Sequence, residues 1–245
     1  LASRAPLGED SALFLCVIPD PQAKFPRARE GEVGLEEAYA LATHVHALIK
    51  SDKDSPRSPI IAIVDVKSQA YGRREETAAI YLAAAVASDA YASARMTGHP
   101  IITLVVGQAL SGAFLTHGYQ ANRILAFDDP GVVIHAMHKE AAARVTRRSV
   151  AELDTLAKTI LPLSYDIKDF AKLGLLHELL ALKDAEQTLP EDVALVKSKL
   201  ALAVEDARQG PKDLSCRWLS PAAQASRAAT IATRKAMIEQ WDKEA

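Results

Sequence analysis

Two apolar patterns alternate along the first 135 residues of the chain. Residues 11–18 (SALFLCVI), 60–66 (IIAIVDV), 101–106 (IITLVV), 123–127 (RILAF) and 132–135 (VVIH) are short apolar runs bounded by turn residues, which predicts strands. Runs as continuous as 60–66 and 101–106 suit strands covered on both faces. Between the runs, Leu35, Ala38, Leu41, Ala42, Val45, Leu48 and Ile49 recur at helical spacing and predict a helix over 34–49. Further helices are expected over 75–97 and from Ala113. Beyond Glu140 the pattern is mostly helical: Ser149 reads as the N-cap of a helix over 150–160, and two more span 190–208 and 221–241. Segment 173–180 (LGLLHELL) fits a strand or a helix turn equally well. Residues 225–243 look amphipathic, with Ala229, Ile231, Ala232, Ala236, Met237 and Trp241 as contacts for the chain's own core or a partner.

Strand–turn–helix units in series imply an α/β protein with a largely parallel sheet. We expect one domain over 1–245 with a helical C-terminal region from about 190. In such sheets ligands gather beyond the carboxyl ends of strands, here after Val66 and after Val106.

Composition narrows the function classes. A net charge of −2 gives no electrostatic footprint for nucleic acid or anionic membrane, and 5% aromatic residues make a poor base-stacking platform. Cys16 and Cys216 are the only cysteines and no CxxC occurs, so neither a disulfide framework nor a metal site is indicated, and a cytoplasmic setting is expected. No apolar run reaches the roughly 18 to 20 residues of a membrane span.

The candidate chemistry lies at GQALSGAF, residues 107–114. We read 107–112 as a small-residue turn leading into a helix. The first amides of a helix lack intrahelical partners, so N–H groups around Ser111, Gly112 and Ala113, with Gly107 opening the turn, can hold an oxyanion. Nucleotide-phosphate patterns (GxGxxG, GxxxxGK[ST]) are missing. A second possibility makes Ser111 a nucleophile with His135 as base, oriented by Asp166 or Asp169. The loop KSQAYGRR adds Gln69, Ala70, Tyr71, Gly72 and Arg73 as substrate-lining candidates. Arg73 or Arg74 suits a carboxylate, and His135 and Met137 flank the site from another strand end. Lys139, Arg144, Arg147 and Arg148 make a basic stretch, either a solvated helix face or a contact for an acidic carrier or a phosphate.

VVGQALSGAF, with VDVKSQAYGRREE some forty residues before it, resembles the crotonase superfamily, and within it the carboxyltransferase-type subunits. The gamma subunits of biotin-independent malonate decarboxylases are the most similar group. That resemblance implies a crotonase-like (ClpP/crotonase) fold of ββα superhelical units. It implies decarboxylation of a malonyl thioester to the acetyl thioester and CO2, with a homologous beta subunit and an acyl carrier protein as partners. It further implies no cofactor bound by this chain and a phosphoribosyl-dephospho-CoA arm on the carrier. By similarity the beta partner holds the thioester carbonyl and this chain holds the departing carboxylate. Ala109 and Leu110 replace paired glycines of the family's GEGGSGGA turn, which reads as support for a biotin-free relative. The same segments are similar to Clp-type serine peptidases, with Ser111 and His135 as the catalytic pair. A non-catalytic scaffold subunit is the third alternative.

Overall fold

Strand β1 (Ala2–Leu7) and strand β2 (Asp10–Cys16) form an antiparallel hairpin at one edge of the sheet. The computed structural model describes residues 1–187 and 189–244. Strands β3 (Ile60–Val66), β4 (Ile101–Leu110), β5 (Arg123–Phe127) and β7 (Glu178–Leu180) continue the order β1-β2-β3-β4-β5-β7, all parallel from β2 onward. Strand β6 (Val133–His135) pairs with the far half of β4, beyond the stretch that pairs with β5. The α/β class and the parallel sheet are as expected. Edge strand β1 was not foreseen: ASRAPL carries a proline and three exposed residues, so it has no apolar run to read.

Strand residues alternate between two apolar layers. Ile60, Ala62 and Val64 face helices α1 (Leu35–Ser51) and α3 (Ile80–Met96), beyond the short α2 (Arg73–Thr77). Ile61, Ile102, Leu104 and Leu125 face Leu200, Ala203 and Val204 of helix α8 (Pro190–Gln209). Ala83, Ala87, Ala90 and Ala94 of α3 are fully buried. Their small side chains let the helix lie close to its neighbours. The single helix expected over 75–97 is instead two, separated by Ala79 in the left-handed region (φ 60°). That break re-aims α3 so its alanine face meets the core while Glu75 of α2 stays buried.

Helix α4 (Ser111–Thr116) follows β4 directly, and α5 (Lys139–Thr146) and α6 (Val150–Ala157) follow β6. Ser149 caps α6 as expected, accepting from the Glu152 amide at 3.2 Å. The ambiguous segment 173–180 starts just past helix α7 (Ile167–Lys172) and ends as β7. The C-terminal helix predicted over 221–241 is also divided. After α9 (Cys216–Leu219), α10 (Pro221–Ser226) ends at Arg227 and α11 (Ala228–Glu244) begins. Of the contacts expected on α11, Ile231 is half-buried, whereas Met237 and Trp241 are exposed.

Candidate active site

Parallel pairing of β3 with β4 brings the two expected strand ends together, with Val66 opposite Ala109. The register slips between Val64 and Val66, where a bulge in β4 faces Asp65. The Asp65 carboxylate accepts from the Gln108 amide at 2.8 Å, replacing the ladder bond that the bulge removes. Gly107 leaves room for that carboxylate, since a Cβ there would lie 2.4 Å from Asp65 Oδ1. So β4 runs four residues past the expected end at Val106, and residues 107–110 are strand rather than turn. Ala109 and Leu110 are buried in it. The helix therefore begins at Ser111, two residues before Ala113.

Ser111 makes the strand-to-helix corner with φ 61°, a left-handed conformation uncommon for a serine. Its Oγ donates to Gln69 Oε1 at 2.8 Å, and the Gly112 amide donates to the same oxygen at 2.9 Å. We expected free amides at 111–113. The Gly112 amide is instead bonded inside the chain. Gln69 is held in place by its own backbone neighbours: Ser68 O accepts from Val33 N at 3.1 Å, and Ala70 N donates to Val33 O at 2.9 Å. Two donors thus converge on one neutral carbonyl oxygen. Ala113 is fully buried in the core and lines no open space.

Beside this corner lies a largely apolar chamber of about 670 Å³, lined by Ser111, Phe114, Tyr119, His135, Phe170 and Arg227 among others. His135 reaches it because Leu110 and His135 are register partners across β4 and β6. Its ring stacks on Tyr165 with centroids 3.9 Å apart, and Tyr165 Oη donates to Met137 O at 2.6 Å. Burial lowers the His135 pKa; Lys139 adds to that, while the contact with the Met137 carbonyl opposes it. The imidazole is therefore neutral at pH 7.

A serine-peptidase relay is not assembled. Ser111 Oγ bonds Gln69, and His135 Nδ1 faces the backbone of Met137, 3.2 Å from its oxygen. Asp166 instead accepts from the Lys168 amide at 2.8 Å, and Asp169 pairs with Lys172 at 2.7 Å.

The remaining candidates scatter. Ala70 is buried beside Gln69, while Tyr71 and Arg73 are exposed and Gly72 lies between them, none lining the chamber. Arg74 is exposed as well. Within the basic stretch, Lys139 pairs with Asp154 at 2.7 Å and Arg144, Arg147 and Arg148 are exposed. The sequence reading missed Tyr165, Tyr119 and Arg227. Arg227 had no signal, because nothing in an unbroken helical period marks the break that aims it.

A family model described as malonate decarboxylase gamma subunit matches residues 28–241. The chain is 34% identical over 193 residues to malonyl-S-ACP:biotin-protein carboxyltransferase MADD of Malonomonas rubra, covering 77% of this chain and 66% of that protein. Its structure is similar to a chain of a Pseudomonas malonate decarboxylase hetero-tetramer in complex with coenzyme A, with a TM-score of 0.93, 48% identity, and coverage of 98% of this chain and 90% of that one. A Pseudomonas MdcD-MdcE hetero-dimer of the same enzyme matches at a TM-score of 0.89 and 48% identity, with the same coverage of both chains. With that match over most of its length, the chain belongs to the malonate decarboxylase gamma subunit family, on a crotonase-like α/β fold.

Proposed function

We propose that this chain is one half of a decarboxylase acting on a malonyl thioester of an acyl carrier protein, completed by a homologous beta-type subunit. The observation that carries the reading is the shared target of Ser111 Oγ and the Gly112 amide, with Ser111 itself lining the chamber. A carboxylate oxygen is a stronger acceptor than the Gln69 amide oxygen now there, since hydrogen bonds to charged groups are roughly twice as strong. Substrate binding therefore displaces a placeholder of the right geometry. Loss of CO2 breaks the Cα–carboxylate bond, its electron pair becomes the enolate of the thioester, and protonation at carbon gives the acetyl thioester. This chain's donors hold the departing carboxylate, and apolar walls such as Phe114 and Phe170 keep water from it. The partner's site holds the thioester oxygen.

We infer from the family resemblance that the acyl group arrives on a phosphoribosyl-dephospho-CoA arm of the carrier. The buried Ala109 and Leu110, standing in place of glycines, favour release of CO2 over transfer to biotin. We place the reaction in the cytoplasm, where the free Cys16 and Cys216 stay reduced. The test is to purify the chain with its partner subunit and follow CO2 from malonyl-carrier without any biotin protein. CO2 release supports the reading; transfer that requires a biotin protein overturns it in favour of a carboxyltransferase.

Two substitutions in the same assay refine the site. Ser111→Ala is expected to cost less than about tenfold in kcat, because it removes one neutral hydrogen bond and no nucleophile. A loss of several orders of magnitude would restore the nucleophile reading. Gln69→Ala removes the competing oxygen, so KM for malonyl-carrier should fall by about 2- to 10-fold, the worth of a typical hydrogen bond. A rise in KM instead would make Gln69 a substrate ligand.

A further inference from the structure

Arg227 is the one charged side chain among the residues lining the Ser111 chamber. It sits where α10 gives way to α11, its backbone fixed by the bond from its amide to Ala223 O at 2.8 Å. Arg227 is half-buried. Among the described residues no carboxylate pairs with its guanidinium, whose recorded side-chain bond runs from Nη1 to Arg217 O at 3.0 Å. Behind the same wall, the Arg217 guanidinium lies 4.8 Å from the ring centre of Tyr119, itself a chamber residue. Arg217 is 8% exposed, and among the described residues its Nη1 has no hydrogen-bond partner. Among the described residues neither arginine pairs with a carboxylate: Arg227 lines the largely apolar chamber, and Arg217 lies behind Tyr119 with its Nη2 donating to Ala121 O. The ring of Tyr119 and backbone carbonyls offset part of the cost of partly burying these guanidinium groups, and an entering anion offsets the rest.

We propose that Arg227 is the specificity residue for the charged end of the substrate: it binds the malonyl carboxylate, and Arg217 adds positive potential behind it. This deepens the decarboxylase reading and rests on it. Arg227 thus takes the role the sequence suggested for Arg73 or Arg74. The carboxylate carries full charge before the reaction and none as CO2, so an arginine on it stabilises the ground state at least as much as the transition state. Arg227 contributes selection rather than rate.

The test uses the complex with its partner subunit and measures CO2 release from malonyl-carrier by wild type, R227Q and R227K. R227Q should raise KM by about 10- to 100-fold, the worth of a charge-assisted bond, with kcat unchanged or higher. R227K should recover part of the loss. Inhibition by acetyl-carrier, which has no carboxylate, should not change. Equal weakening of both thioesters would show a merely structural role and overturn the proposal, as would an unchanged KM. A wild-type complex that releases no CO2 would sink the decarboxylase reading itself, and this proposal with it.

Discussion

Replacing Gly112 with valine is expected to lower kcat/KM for CO2 release by the assembled complex by about 10²- to 10³-fold, because the added side chain fills the seat of the carboxylate and forfeits its charge-assisted hydrogen bonds. A Cβ at this position would lie 3.1 Å from Gln69 Oε1 and 3.2 Å from Gln69 Cδ, which is the space the two donors share. The branched methyls of valine extend into that same space, so substrate oxygen and glutamine oxygen are both excluded. Gly112 is not among the glycines with positive φ, so valine meets no left-handed strain and assembly should survive. Size-exclusion chromatography of the complex checks assembly, and kcat/KM for malonyl-carrier is then measured. An assembled Gly112→Val complex with an unchanged rate would mean that this chain only scaffolds its partner's chemistry. Ser111→Ala is the internal comparison, since it leaves that space open and should cost far less.

Much of the framework was readable because its signals are local. Strands β3 and β5 were placed to the residue by unbroken apolar runs with polar ends. The Ser149 cap was equally legible, its Glu152 partner lying three residues away. What escaped depended on residues far apart in the chain. Strand β4 outlasts Gly107 because Asp65, 43 positions from Gln108, takes up the bulge amide. The Gln69 bond to Gly112 spans the same separation. It turns an expected free amide into an occupied one. Gly107 was read as part of an anion-binding turn when its nearest constraint is packing against a carboxylate. Helical periodicity runs through Arg227 without interruption, so neither the break there nor its position in the chamber could be seen. The passage from β4 into α4 was legible as a place, while its wiring required tertiary structure.

The helix that carries the Gly112 amide is mounted by a buried histidine, which leads to a second large effect. His117, just past α4, is fully buried; Nε2 lies 2.9 Å from Ile63 O on β3, and Nδ1 lies 2.9 Å from Tyr91 Oη on α3. These partners suit a neutral ring that donates from Nε2 and accepts at Nδ1. Burial pushes its pKa down to about 4, against a partial opposing effect of the Ile63 carbonyl. The unfolded chain takes up this proton near pH 6.5, the folded chain only near 4. Between those values the unfolded state binds more protons, so stability falls as pH falls. At about 1.36 kcal/mol per pKa unit, His117 alone removes roughly 2.5 kcal/mol by pH 4.5. Urea unfolding of wild type and His117→Asn at pH 7 and pH 4.5 isolates this contribution. The variant starts less stable, having lost buried contacts, yet should lose about 2.5 kcal/mol less than wild type on acidification. Decarboxylation by wild type should decline over the same interval, because α4 loses its mount on β3 as the chain unfolds. Parallel acid losses in the two proteins would show that His117 does not control this transition.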